Sequence, residues 1–247
     1  MARGKIYVGI GGWTYAPWRG GMFYPDDLPQ RRELEYASRQ LTSIEINGTY
    51  YSNFKPDTWT KWRDETPDGF VFAVKASRFT TNRRKLAEAG DSIERFIGQG
   101  LHELGDKLAP ISWQFMATKK FDAEDMSAFL KLLPKEIKKR PLRHALEVRS
   151  PTFKDSKFYD LARQHGVAIV FADHDEFPEI DEATADFSYA RLMRSEAKVK
   201  TGYKPAALDK WAKRAKAQQK TGDCFVYVIA GAKERAPAAA RALIERL

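Results

Sequence analysis

The sequence predicts a single (β/α)8 barrel of the TIM type spanning residues 1–247. Three observations predict it. Eight short runs rich in β-branched and aromatic residues recur at intervals of roughly 20 to 40 residues, the length that a strand plus a crossover helix needs. Amphipathic helical stripes fill nearly every interval. The first run opens into Gly9-Ile10-Gly11-Gly12-Trp13, which lacks the third glycine of a dinucleotide-binding loop, so a doubly wound open sheet is the weaker alternative.

The strand-like runs are residues 6–10, 43–47, 70–75, 111–115, 144–149, 167–172, 187–192 and 224–229. Between them, Leu34, Ala37 and Leu41 mark a first helix, and Trp59 with Trp62 after Pro56 a second. Ile93, Phe96, Ile97, Leu101 and Leu104 form the next stripe; Met126, Phe129, Leu130 and Leu133 follow Asp122, a residue type suited to an N-cap. Phe158, Leu161, Ala162 and His165 form a helix that stops at Gly166, where a left-handed residue is expected. Leu208, Trp211 and Ala215 follow Pro205, and Ala239, Leu243 and Leu247 close the chain. Only the acidic segment after the sixth run makes a poor helix.

Composition narrows the functional classes. At 43% hydrophobic and 30% charged residues, the chain can build a core and is not a disordered tail. No apolar run approaches the roughly 20 residues of a spanning helix, and Met1-Ala2-Arg3-Gly4-Lys5 leads directly into the first strand-like run. A cytoplasmic protein without a membrane partner is expected. The single Cys224 excludes an internal disulfide and any multi-cysteine metal site. The net charge of +9 is unevenly spread: residues 198–220 carry eight basic residues against Asp209, whereas residues 173–186 carry seven acids and no Lys or Arg. The basic stripe could attract nucleic acid, but a solvated helix face is the favoured reading.

In TIM-type barrels ligands are handled at the carboxyl ends of the strands. Strands buried on both faces are expected to be apolar, so their late polar residues need a reason. Glu45 and Asn47, Lys75, Gln114, Glu147 and Arg149, Asp173 and Arg191 all fall there. Residues two apart share a face, which aims Glu45 with Asn47, and Glu147 with Arg149, toward the barrel axis. Lys75, Arg149 and Arg191 would then neutralise Glu45, Glu147 and Asp173. Two roles are open to such a network: acid, base and electrostatic stabiliser in a reaction, or ion pairs that fix the barrel mouth. Trp13, Tyr50 and Tyr51 directly follow strand ends and are expected to line a pocket for a flat or sugar-like ligand. Arg194, Lys198, Lys200 and Lys204, with the loop Gly231-Ala232-Lys233-Glu234-Arg235, form a candidate phosphate site. Asp173-His174-Asp175 has hard-ion ligand types, but His102 and His165 fall on predicted helices and His144 starts its strand; no metal or other cofactor is expected.

Several motifs resemble the YecE-like barrels, the family known as domain of unknown function 72. They are Gly11-Gly12-Trp13-Thr14-Tyr15 with Trp18 and Phe23-Tyr24-Pro25, Glu45-Ile46-Asn47 with Thr49-Tyr50-Tyr51, and Trp62 with Thr66-Pro67 leading into the third strand. Leu133-Pro134, Glu147-Val148-Arg149, Tyr189-Ala190-Arg191-Leu192 and Trp211-Ala212 extend the resemblance over nearly the whole chain. It implies a TIM-type barrel and supplies no reaction. The chain resembles a divergent member: Thr81-Asn82, Gln114-Phe115-Met116-Ala117, Ser150, Met193-Arg194 and Ile229-Ala230 stand where the family tends to have Thr-His, Gln-Leu-Pro-Pro, His, His-Gly and Asn-Asn.

The leading expectation is an enzyme-like barrel that binds a small anionic or sugar-like molecule. Glu45 and Glu147 are the acid and base candidates, with Lys75, Arg149 and Arg191 stabilising negative charge. The alternatives are a nucleic-acid-binding or nuclease-like barrel using the 198–220 stripe, and a non-catalytic binding module.

Overall fold

The computed structural model describes residues 3–247; Met1 and Ala2 lie outside the described residues. Parallel strands form the expected barrel: β1 Ile6–Gly11, β2 Ser43–Ile46, β3 Val71–Lys75 and β4 Leu108–Gln114. A two-stranded hairpin, β5 Glu136–Ile137 and β6 Arg140–Pro141, stands outside the main sheet. The barrel continues with β7 His144–Glu147, β8 Ala168–Ile169, β9 Phe171–Asp173, β10 Phe187–Leu192 and β11 Asp223–Val228.

The sheet order is β8-β7-β4-β3-β2-β1-β11-β10-β9. Its two end members, β8 and β9, are halves of the sixth predicted strand, interrupted at Val170. β8 pairs with β7, and β9 pairs with β10, so the broken strand brings the sheet round on itself. The Val170 N–H still donates to Leu146 O at 2.9 Å, which carries the β7 pairing across the break.

Helices α1 Glu33–Gln40, α2 Pro56–Glu65, α4 Gly90–Ile97, α5 Ala123–Leu132, α6 Ser156–His165, α7 Pro205–Gln218 and α8 Ala236–Ile244 match the seven predicted stripes. A short α3, Arg78–Thr81, is an addition on the loop after β3. The local signals act as expected: Asp122 accepts the Asp125 N–H at 2.9 Å, and Gly166 closes α6 at φ 62°. Residues 174–186 contain no helix. No helix among the described residues is long and apolar enough to cross a membrane.

Period-two alternation sorts the strand residues into two cores. Outward residues such as Val8, Ile44, Phe72, Trp113, Leu146 and Val226 pack under the helices. Inward residues fill the barrel: Val71, Ala73, Ala109, Ala145 and Ala168 on one side meet Phe187, Tyr189, Phe225 and Tyr227 on the other. Small residues opposite aromatic ones match volumes across the barrel interior. Gly9 also faces inward, where a Cβ would stand 1.9 Å from Ser43 O. The plug ends in a floor of tyrosines, and the charged residues stand on it.

Candidate functional site

Two residues beyond Ala73, Ala145 and Tyr189 along their strands come Lys75, Glu147 and Arg191. The inward alternation that builds the plug therefore delivers these side chains to one level at the carboxyl ends, with Glu45 two beyond Ser43. Arg191 is the hub. Its Nη2 donates to Glu45 Oε1 at 3.0 Å, and its Nη1 pairs closely with Glu147 Oε2. Glu147 Oε1 also accepts from Gln114 Nε2 at 2.8 Å and Arg149 Nε at 2.7 Å. Tyr189 Oη donates to Glu45 Oε2 at 2.5 Å. Both glutamates are fully buried and Arg191 nearly so.

These contacts set the proton affinities. Burial alone would favour the neutral acid, yet Arg191, Arg149 and Lys75 hold the Glu147 carboxyl down at about 2. Lys75 goes the other way. Burial and the nearby Arg191 and Arg149 guanidiniums outweigh Glu45 and Glu147 and lower its ammonium to about 8. Its Nζ lies 4.2 Å from the centre of the Tyr50 ring, and no carboxylate oxygen among the described residues lies within 4.0 Å of it.

Of the residues expected at the mouth, Glu45, Lys75, Gln114, Glu147, Arg149 and Arg191 converge, and Tyr50 joins them through Lys75. Asn47 lies one residue past the end of β2; its Nδ2 is 3.5 Å from Glu45 O, and its buried Oδ1 has no partner among the described residues. Trp13 lies edge-on to Trp62 at 5.1 Å, in the aromatic wall between the mouth and α2. Tyr51 is 66% exposed and forms the outer rim.

Two expectations are corrected. Asp173 does not pair with Lys75, Arg149 or Arg191: it accepts from Arg194 Nη1 at 2.6 Å and Tyr203 Oη at 2.9 Å. The acidic 173–186 segment carries its own cation, because Arg194 also binds Asp175, Glu179 and the His174 carbonyl. That engagement removes Arg194 from the expected phosphate site. Lys233 there lies over the rings of Tyr15 and Trp18, and Arg235 donates to Ala197 O.

Sequence reasoning passed over three participants: Tyr189, Tyr227 and Phe177. The i−2 rule applied to Arg191 would have found Tyr189. Tyr227 bonds Ser43 Oγ at 2.7 Å under Glu45, a contact made over Gly9 of β1 by the two strands that flank it. Phe177, on the loop after β9, stacks with His174 and lies 4.5 Å from the Arg149 guanidinium.

A closed parallel sheet with outer helices and a charged cluster at the carboxyl ends of its strands defines a TIM-type barrel whose candidate site occupies the usual rim. The family model described as Protein of unknown function DUF72 matches residues 7–247, and the chain belongs to that family. It is 28% identical over 152 residues to the UPF0759 protein YecE of Escherichia coli (strain K12), covering 60% of this chain and 50% of YecE. The chain thus spans about half the length of the curated relatives it matches. A crystal structure of a DUF72 family protein from Thermotoga maritima superposes with TM-score 0.76 at 21% identity, covering 97% of each chain. One from Enterococcus faecalis superposes at 0.73 with 15% identity, covering 99% of this chain and 98% of its own. These likenesses bear on the fold.

Proposed function

We propose that this barrel binds a small anionic or sugar-like molecule at its carboxyl-end mouth, in the cytoplasm, and acts on it with the residues gathered there. The carrying observation is a charge imbalance. Among the described residues, Arg191, Arg149 and Lys75 face only Glu45 and Glu147, so the cluster has one positive charge in excess when Lys75 is protonated. The two terminal nitrogens of Arg149 have no hydrogen-bond partner among the described residues and are available to an anionic group. Glu147, held ionised, is an electrostatic anchor. Glu45, hydrogen-bonded to Tyr189 Oη and Arg191, is the second carboxylate of the proposed site. Trp13, Asn47, Tyr50, Tyr51 and Gln114 would shape the pocket, with Asp173 at its far edge.

The test is a thermal-shift comparison of phosphorylated sugars, small carboxylates and the corresponding neutral sugars. The anions are expected to raise the melting temperature and the neutral compounds not, and R149M is expected to abolish the difference. Equal shifts for charged and neutral compounds would defeat the reading.

A second reading, binding of single-stranded nucleic acid, is favoured by the rim rather than by the 198–220 stripe. In that stripe Arg214 pairs with Asp181, and Lys216 donates to Arg246 O. On the rim, exposed Tyr51 and Phe79 lie against Arg78, and exposed Met116 lines a groove of about 770 Å³ with Arg84, Lys85 and Lys120 and the acids Asp122, Glu124 and Asp125. Exposed rings between cations suit stacked bases on a charged track. Anisotropy with a single-stranded oligonucleotide at two salt concentrations decides: this reading requires affinity that falls steeply with salt and with F79A.

A further inference from the structure

We propose that Lys75 is a nucleophilic amine that condenses with the carbonyl carbon of a small anionic aldehyde or ketone held in the mouth. This rests on the anion-site reading above and narrows its substrate class to carbonyl compounds.

The backbone of Lys75 is fixed. Its carbonyl accepts from Thr49 Oγ1 at 2.6 Å, and the next residue, Ala76, donates its N–H to Ser112 O at 2.8 Å. Its amine is not tied up in an ion pair. Glu147 uses its oxygens on Arg191, Arg149 and Gln114, and Glu45 uses its own on Arg191 and Tyr189. The Tyr50 ring supports Nζ from one side and is itself fixed through Asn82, whose Nδ2 lies 3.1 Å from Tyr50 Oη. The other cations of the cluster are guanidiniums, which stay protonated and do not attack carbonyls. A lysine that is desolvated and set next to other cations is the arrangement that frees an amine for Schiff-base chemistry. With the ammonium lowered to about 8, about a quarter of the amine is unprotonated at pH ~7.5, against about a thousandth for an ordinary lysine.

In the proposed step, the Nζ lone pair forms a bond to the carbonyl carbon, and the carbonyl electrons move to oxygen. One amine proton passes to that oxygen, giving a carbinolamine. Uptake of one further proton releases the oxygen as water and leaves a protonated imine. No oxidant or reductant takes part. The imine's positive charge forms beside Glu45 and Glu147, while the anionic group of the ligand faces Arg149. A lysine that serves only as a fixed charge would share the geometry but never form the carbon–nitrogen bond.

Borohydride trapping separates the two. The full chain is incubated with glyoxylate, or with dihydroxyacetone phosphate, in the presence of sodium borohydride, which reduces an imine to a stable secondary amine. Intact mass and peptide mapping then locate the adduct. One adduct on the peptide carrying Lys75 is expected, absent from K75R and K75M, with both variants giving an unchanged circular dichroism spectrum. An adduct spread evenly over surface lysines, or no adduct with either compound, overturns the proposal. If those same anions still raise the melting temperature, the covalent step alone falls and the anion site stands; if they do not, both fall.

Discussion

Tyr189 and Glu45 lie 144 positions apart in the chain, yet the phenol donates a 2.5 Å hydrogen bond to the carboxylate inside the barrel. Tyr189 belongs to the apolar plug and Glu45 to the charged layer, so this bond joins the packing of the core to the chemistry of the mouth. Replacing Tyr189 with Phe keeps the ring and leaves a buried carboxylate oxygen without its donor. A loss of about 1–3 kcal/mol in unfolding free energy is expected, read from denaturant titration with the slope unchanged.

Glu147 is the counter-charge for two guanidiniums. Glu147→Gln leaves Arg191 with Glu45 alone and takes from Arg149 its carboxylate partner, and a destabilisation of about 3–5 kcal/mol is expected. The double variant E147Q/R191M is expected to lose clearly less than the sum of the single losses, because the residues act as one unit. Additive losses would mean that the pair does not interact in solution.

Acid weakens the fold in two stages. His144 is buried at the start of β7, accepting from Trp113 Nε1 at 3.1 Å, with its Nε2 2.8 Å from Pro134 O. Burial lowers it from 6.5 to about 4, so between those values the unfolded chain holds the extra proton. Stability is therefore complete above pH 6.5 and drains away as the pH falls toward 4, by about 3 kcal/mol in full. Glu147, lowered from 4.5 to about 2, adds a second loss below pH 4.5. Denaturant midpoints measured across pH 4 to 7 are expected to slope downward into acid, and the slope above pH 4.5 is expected to flatten in H144Q.

Strand and helix positions were legible because burial on both faces leaves continuous apolar runs, and helix ends carry cap residues such as Asp122 and Gly166. The inward aim of Glu147 and Arg149 followed from the two-residue period. The partner choices did not. Arg191 bridges residues 146 and 44 positions away, and Asp173 takes Arg194, because closure of the barrel decides which cation meets which acid. The β5–β6 hairpin was silent for another reason. Its turn places Lys138 and Lys139 at φ 46° and 65°, a conformation usually announced by Gly or Asn.

The interruption at Val170 has a consequence for motion. On one side the cylinder is held by two register pairs, Ala145↔Ala168 and Leu146↔Ile169, and on the other by three, from Ala190↔Phe171 to Leu192↔Asp173. The stretch that follows, residues 174–186, contains no helix of its own. The wall is thinnest along this one line, so deuterium uptake is expected to be faster in residues 168–173 than in β1 or β11. Breathing there would widen the ring on the side of Asp173 while leaving Lys75 and Glu45, on β3 and beside β1, in place: a hinge opposite a fixed jaw.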